Sequence, residues 1–239
     1  MAVTFGTNIT NHLLDGLPKK HQGHLLDQCS PVQLNFGEIL YYPGDICKYV
    51  YFPLTGFISM VIRTQDHKPL EVGMIGKEGM LGATLALGVE IVSGQSVVQG
   101  SGLALRLTAR RFRQLLADSP ALQRVAHRYV FFGLDQLAQA AACNAFHEVQ
   151  ARLAKWLLMA HDRSPADHLQ LTHGFLADML GVRRSAVSIA AGELQAQGYI
   201  SYSRGQIRVL SRDGLKSVAC ECYQVGLSSY ELLFPHHND

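Results

Sequence analysis

The segment that decides the fold of this chain is residues 169–210, LQLTHGFLADMLGVRRSAVSIAAGELQAQGYISYSRGQIRVL. It holds two apolar runs at helical spacing, separated by Gly181. Thr172 precedes the first run and can cap a helix, because its hydroxyl can accept a hydrogen bond from a first-turn amide. Two short β-branched and aromatic stretches then flank Arg204-Gly205, which predicts a hairpin. Helix, turn, helix and hairpin in this order predict a winged helix-turn-helix.

The second helix of this segment, starting at about Arg183, is the predicted DNA-reading element. Its apolar residues recur at spacings of three and four, so that one face packs inward. A recognition helix turns its other face toward base edges in the major groove. The residues predicted to read bases are Arg184, Ser185, Ser188 and Ile189.

Positive charge clusters on the same segment. Five arginines and two acidic residues lie between Leu169 and Arg212, which leaves about three positive charges for DNA phosphates. The predicted phosphate contacts are Thr172, His173, Arg183, Arg204 and Arg208. Winged modules also bind proteins, so the alternative is a ligand-responsive protein-interaction module without sequence-specific DNA binding.

Composition limits the other classes of function. The chain has 239 residues, 48% of them hydrophobic and 17% charged, which is enough for one or two domains with a buried core. No apolar run reaches the roughly 18–20 residues of a membrane helix, and no secretory signal opens the sequence. We therefore expect a cytoplasmic protein without a membrane partner. No catalytic constellation stands out, so we do not expect an enzyme.

The five cysteines have irregular spacing, which does not favour disulfides in a reducing compartment. Cys220 and Cys222 lie close together, but no second pair follows at metal-ligand spacing. The sequence therefore predicts no metal site, and ordinary partly buried thiols at these two positions.

Short strand-like runs dominate residues 30–107 and are separated by glycine-containing turns. This punctuation predicts an antiparallel sandwich or barrel. The predicted strands are Val32–Phe36, Ile39–Tyr42, Tyr49–Leu54, Phe57–Ile62, Leu70–Ile75, Ser96–Gln99 and Leu103–Leu107.

A long helix is predicted from Pro120 to about Asn144, with two apolar stripes. We expect one stripe to pack on the strand domain and the other on the same helix of a second subunit. A single broad stripe buried within a monomer is the alternative. The residues predicted to face the second subunit are Leu122, Val125, Tyr129, Phe132 and Gln136. A single C-terminal helix is predicted over Arg212–Phe234.

This α+β layout resembles the cyclic-AMP-receptor/FNR (Crp/Fnr) family of bacterial transcription regulators. The resemblance rests on LTHGFLADMLGVRRSAVSIAAGELQAQGYI and on FGEILYYPGDICKYVYFPLTGFISM, with Gly37, Gly44 and Gly56 at turns. It implies a cyclic-nucleotide-binding-type β-roll (a double-stranded jelly-roll) over 1–118, a dimerisation helix over 119–145 and a winged helix-turn-helix over 146–239. The implied partners are double-stranded DNA, a second copy of the chain and RNA polymerase.

On the DNA side, the family pattern is kept unevenly. Arg184 matches the family arginine that binds guanine, whereas Ser185 stands in place of a glutamate and Ile189 in place of an arginine. We therefore expect an operator different from that of the cyclic-AMP receptor.

On the effector side, the family implies a pocket at Gly79, Met80, Leu81, Gly82, Gln95 and Ser96. Met80 replaces the glutamate that holds the ribose, and no arginine lies between Arg63 and Arg106 to neutralise a phosphate. We therefore do not expect cyclic AMP in the usual pose, and the effector is left open. This sequence does not contain the N-terminal cysteine cluster that an FNR-type iron–sulfur centre requires. Haem ligation through His67 or Cys47 is left as an alternative.

Overall fold

The computed structural model describes residues 11–65, 68–164 and 168–235, so that His67 lies outside the described residues. These residues form two compact units. The first, the β-roll unit, comprises residues 11–60, 75–134 and 230–235. The second, the winged unit, comprises residues 61–65, 68–74, 135–164 and 168–229. No helix within the described ranges is both long and apolar enough to cross a membrane.

The N-terminal half of the chain consists of two short helices followed by strands. The helices are α1 (His12–Asp15) and α2 (Lys19–Leu26), and a 3-10 helix spans Ala83–Leu87. The strands are β1 (Ser30–Leu34), β2 (Ile39–Tyr41), β3 (Tyr49–Pro53), β4 (Phe57–Ile62), β5 (Leu70–Ile75), β6 (Gln95–Gly100) and β7 (Gly102–Thr108). Each predicted strand is therefore present, and no end differs from the prediction by more than two residues.

The seven strands β1 to β7 form a three-stranded sheet of order β1-β7-β3 and a four-stranded sheet of order β2-β6-β4-β5. β7 pairs antiparallel with both of its neighbours. Their inward side chains form one apolar core, in which Leu34, Val50 and Phe52 are almost fully buried. Burying a side chain of this size contributes about 1.5–3 kcal/mol.

Two helices follow the β-roll strands. Helix α3 (Ala109–Asp118) begins after Thr108, whose hydroxyl accepts a hydrogen bond from the Arg111 amide. Helix α4 (Pro120–Phe146) is the predicted long helix. In α4, Leu122 exposes 3% and Tyr129 8% of its surface, and both belong to the β-roll core.

The assignment of the two α4 stripes is therefore corrected. Of the residues predicted to face a second subunit, Leu122 and Tyr129 are buried in the core of their own chain, and Val125 and Phe132 pack against that core. Gln136 is half-buried. Among the large apolar side chains that α4 leaves exposed, Phe146 is the last residue of the helix, and three others lie on another stripe: Phe131, Leu134 and Leu137. The two stripes are similarly apolar, so periodicity alone could not tell which one faces the β-roll.

The winged unit contains the C-terminal helices and one small sheet. Its helices are α5 (Val149–Arg163), α6 (His173–Leu180), α7 (Arg184–Ala196), α8 (Arg212–Val218) and α9 (Cys222–Leu233). Its strands are β8 (His168–Gln170), β9 (Ile200–Ser203) and β10 (Gln206–Val209), in the order β8-β10-β9. The predicted α+β class, with a β-roll, a long helix and a winged helix-turn-helix in that order, is confirmed.

The prediction of a single C-terminal helix is wrong. The chain leaves helical geometry at Ala219, where ψ is 148°, and α9 starts only at Cys222. Ser211 caps α8 by accepting a hydrogen bond from the Gly214 amide. The break buries Cys220 and Cys222, which expose 6% and 4% of their surfaces.

Candidate nucleic-acid interface

Helix α7 has one buried and one exposed face. Val187 and Leu194 on the inner face are fully buried. The four residues predicted to read bases are all exposed: Arg184, Ser185, Ser188 and Ile189. Ile189 leaves 64% of its surface exposed, and such an apolar side chain can contact a thymine methyl group. This face holds one arginine, two hydroxyls and one apolar side chain, a mixture suited to base edges; the base-reading role itself stays a prediction.

His173 joins the three elements of the interface. Its ring stacks on Tyr202 of β9, with centroids 4.2 Å apart and an interplanar angle of 18°. Its Nδ1 lies 2.9 Å from the Ser188 hydroxyl, which donates to the Arg184 carbonyl oxygen at 3.0 Å. The serine proton is used in this way, so Nδ1–H of His173 is the donor to Ser188. Helix α6 is thereby linked to both the recognition helix and the wing.

The same geometry favours neutral His173. Burial and the charge of Arg184 lower the pKa of its imidazole below the ordinary 6.5. Its Nε2 is buried, with no hydrogen-bond partner among the residues that the structure describes. A second ring proton would therefore be left without an acceptor.

We expect His173 to make the winged unit less stable in acid. Because its pKa is depressed in the folded state, the unfolded chain binds the proton more readily, so stability is lost as the pH falls below the ordinary value. The urea midpoint should fall between about pH 7.5 and about pH 5.5, and His173→Gln should reduce that fall. An equal fall in both proteins would contradict the assignment.

The wing is a tight hairpin. Arg204 and Gly205 form its two-residue turn, with φ of 49° and 79°. Two positive φ values define the turn type whose twist matches paired antiparallel strands. Arg204 is exposed at the tip and Arg208 is exposed on β10, whereas Ile207 is fully buried. The hairpin therefore packs on the rest of the unit through Ile207, and the side chains of Arg204 and Arg208, the two predicted phosphate contacts, remain exposed.

Thr172 and Arg183 lie at the N-termini of the two helices. The Thr172 hydroxyl caps α6 by accepting from the Phe175 amide at 3.1 Å. Arg183 is the N-cap residue of α7, and both side chains are exposed. Anions bind favourably at such helix ends. Their phosphate contacts stay a prediction.

The positive cluster differs from the prediction in one member. Arg212 pairs with Asp162 and also donates to the Tyr223 hydroxyl at 2.6 Å, so it is part of an internal network. The charge of Arg212 is therefore not available to DNA phosphates, and the predicted number of available positive charges falls by one. Asp178, counted against the cluster, pairs in turn with Lys68 at 3.0 Å. These two corrections offset one another, and the surface remains positive.

Arg152 is a structural residue that the sequence did not indicate. It exposes only 7% of its surface, and its guanidinium donates to the Leu180 carbonyl at the end of α6 and to Asn144 Oδ1 at 2.6 Å. It thereby satisfies an unpaired carbonyl of the helix terminus. An amphipathic pattern gives no sign of this contact, since the arginine falls among apolar neighbours.

The predicted effector residues lie in the β-roll unit. Met80 and Leu81 belong to its core, with 2% and 4% exposed. A Cβ atom added at Gly79 would lie 2.0 Å from the Tyr129 hydroxyl of α4. Gly82 has a positive φ of 94°, and Gln95 is half-buried. Ser96 is fully buried, and its hydroxyl oxygen lies 3.4 Å from Met60 Sδ. Their role as an effector pocket stays a prediction. Cys47, the alternative haem ligand, is buried 3.3 Å from the Tyr49 carbonyl.

Comparisons with known proteins agree with this architecture. Residues 31–119 match the family profile of the cyclic nucleotide-binding domain, and residues 151–218 match that of the Crp-like helix-turn-helix domain. A search of curated proteins gave no match.

Several solved structures are similar to this chain. FixK2 from Bradyrhizobium japonicum has a TM-score of 0.67 at 16% identity, over 80% of this chain and 98% of that one. TTHB099, a CRP-family transcriptional regulator from Thermus thermophilus, has 0.65 at 16%, over 79% and 96%. TTHA1359, a CRP/FNR-family regulator from the same organism, has 0.62 at 22%, over 80% and 98%. At these levels of sequence identity, the similarity shows a shared fold.

Proposed function

This chain belongs to the Crp/Fnr family of DNA-binding transcription regulators, and we propose that two copies of it bind a palindromic operator as a homodimer. Each copy inserts α7 into a major groove, at half-sites about 34 Å apart. The observation that carries this proposal is the exposed face of α7 in the same unit as the exposed wing arginine Arg204. The alternative, a protein-interaction module, has no observation in its favour.

Arg184 is the principal base reader in this proposal. An exposed arginine on the first turn of a recognition helix can donate two hydrogen bonds to guanine O6 and N7. Ser185, Ser188 and Ile189 make the weaker base contacts. Phosphates are held by Arg183, Arg204 and Arg208, and at the start of α6 by the Thr172 hydroxyl and the main-chain amide of His173, since the ring proton of His173 is given to Ser188.

The second subunit covers the exposed stripe of α4. Phe131 and Leu134 expose 58% and 62% of their surfaces, and the positions Ala138, Ala141 and Ala145 continue the same stripe. Their spacing alternates between three and four residues, which is the pattern of a two-helix seam. The family resemblance supports the same helix of a second copy as the occupant.

The chain is divided functionally into a sensor over 1–118, a dimerisation helix over 119–145 and a DNA-binding region over 146–239. A small ligand in the β-roll modulates DNA binding, and it is not cyclic AMP in the usual pose, since Met80 and an arginine-free stretch replace the expected partners. RNA polymerase is a further partner, and the protein acts in the cytoplasm without catalytic activity.

The test is selection of binding sites from random duplex DNA with the purified, ligand-free protein. Enrichment of a palindrome with half-sites one helical turn apart supports the proposal. If neither the ligand-free protein nor the protein supplied with cell metabolites enriches any sequence, sequence-specific DNA binding is excluded.

Two arginine variants distinguish base reading from phosphate contact. Arg184→Ala should weaken operator binding by about 5- to 150-fold and relax preference at one base pair, because a bidentate pair supplies about 1–3 kcal/mol of discrimination. Arg204→Ala should weaken all sequences similarly and reduce the slope of log K against log salt by about 0.9. Fluorescence anisotropy at several salt concentrations measures both.

Arg110→Ala is the matched control, since it removes an exposed arginine from α3 in the β-roll unit. It should leave both affinity and salt slope unchanged. An unchanged base preference in Arg184→Ala would remove Arg184 from the reading role.

A further inference from the structure

Four metal-ligating side chains converge in the winged unit. They are Cys143, His147, Cys220 and Cys222, whose sulfur and ring-nitrogen atoms all lie within 4.8 Å of one another. The three thiols are buried and the imidazole is half-buried. Neither the predicted DNA contacts nor the effector region uses these residues.

The distances within this cluster fit a tetrahedral ion. Cys143 Sγ lies 3.6 Å from Cys220 Sγ, and Cys222 Sγ lies 3.4 Å from His147 Nδ1. Four ligands at the Zn–S and Zn–N distances of proteins lie about 3.8 Å apart for two sulfurs and about 3.6 Å for sulfur and nitrogen. These two ligand–ligand distances are therefore close to those expected around a bound zinc ion.

The backbone places all four ligands on one side. Cys143 and His147 are one helical turn apart at the end of α4, and the His147 amide donates to the Cys143 carbonyl at 3.2 Å. Cys220 and Cys222 flank the start of α9. In a continuous helix, side chains two residues apart are rotated by about 200° around the helix axis, so they point to nearly opposite sides. The break at Ala219 removes this restriction and lets both thiols face the same point.

The neighbours of the cluster are those of a metal site. His147 Nε2 lies 3.1 Å from a Glu221 carboxylate oxygen, so the ring is oriented with Nδ1 toward the sulfurs. Metal-binding histidines commonly have such a carboxylate partner. The Gln139 amide donates to Cys222 Sγ at 3.0 Å, and Lys155 Nζ lies 3.5 Å from Cys143 Sγ. These donors offset the negative charge that several thiolates bring.

We propose that Cys143, His147, Cys220 and Cys222 bind a single zinc ion in a closed Cys₃His site. Three sulfurs and one imidazole form a ligand set for a structural zinc. Ligand atoms within 4.8 Å of one another enclose one ion and leave no room for a cluster of several irons. The Cys143–Cys220 separation of 3.6 Å is much longer than the roughly 2.05 Å of a disulfide.

The earlier prediction of no metal site followed from the spacing of the ligands. Cys143 precedes Cys220 by 77 residues and His147 precedes Cys222 by 75, so the second pair is visible only in the folded chain. The ion ties the end of α4 to the junction of α8 and α9. Because the ligands come together only in the folded chain, zinc binding should stabilise the winged unit.

The experiment uses the full-length chain without a histidine tag, in reducing buffer. We expect about one zinc per chain by inductively coupled plasma mass spectrometry. X-ray absorption should give about three Zn–S contacts near 2.3 Å and one Zn–N contact near 2.0 Å. Co²⁺ in place of zinc should give thiolate charge-transfer bands and the strong visible bands of a tetrahedral ion. A strong chelator should lower the unfolding temperature.

Variants assign the ligands. The double variant Cys143→Ser/Cys220→Ser should lose the metal, whereas Cys29→Ser, which removes a thiol of the β-roll unit, should keep it. Cys222→His should retain an ion with one fewer sulfur contact, which keeps the test open if the double variant does not fold. The proposal is overturned if the wild-type chain, reduced and supplied with Zn²⁺, holds on the order of 0.1 ion or fewer, or if the absorption data show no Zn–S contacts.

Discussion

Leu134→Glu is expected to produce a monomer and to lower operator affinity by about 10²–10⁴-fold. Leu134 exposes 62% of its surface and belongs to the proposed α4 seam. In a symmetric dimer, two glutamates would be brought together where two leucines were buried. A monomer also loses the effective concentration that links the second half-site to the first, which accounts for the size of the drop.

Sedimentation equilibrium and electrophoretic mobility shifts measure the two effects. Leu26→Glu is the control, because it places the same charge at another exposed leucine, on α2. It should remain dimeric and bind the operator normally. A Leu134→Glu protein that stays dimeric at low micromolar concentration would place the subunit contact elsewhere.

Gly56→Ala is expected to destabilise the β-roll by about 2–5 kcal/mol. Gly56 lies between β3 and β4 with φ of 72°, a conformation that costs other residues about 1–2 kcal/mol. A Cβ atom there would also lie 2.3 Å from the Gly100 carbonyl oxygen. Because that atom belongs to the backbone of the adjacent β6–β7 turn, the strands must shift, at a further cost of about 1–3 kcal/mol.

Gly37→Ala separates these two contributions. Gly37 has φ of 80°, but a Cβ atom would meet nothing within 4 Å. It should therefore lose only the conformational part, about 1–2 kcal/mol. Urea unfolding followed by far-ultraviolet circular dichroism compares the variants with the wild type. Equal losses would show that the close approach to Gly100 is relieved without cost.

The parts of the fold that follow from local signals were predictable. Thr172 caps the helix that it was expected to cap, and Arg204-Gly205 forms the hairpin turn, since each of these depends on a few neighbouring residues. The strands could be predicted from the sequence because glycine-containing turns separate them at short intervals.

The parts that depend on contacts distant in sequence were not predictable. Which α4 stripe is buried depends on packing against the β-roll, and the partners of Arg152 and Arg212 come from separate helices. The break before Cys222 occurs in a segment whose composition is compatible with a continuous helix. Of the candidate site, the outward face of α7 was predictable and the role of His173 in linking α6, β9 and α7 was not.

The packing of Tyr129 against Gly79 has a consequence for allostery. The glycine leaves room for the tyrosine hydroxyl and for nothing larger, so the loop and the helix exclude one another sterically. A ligand that pushed this loop toward α4 would have to displace Tyr129, and packed helices commonly shift as rigid bodies. In the proposed dimer, such a movement of α4 would also displace Phe131 and Leu134, which lie on the same helix just after Tyr129 and are exposed.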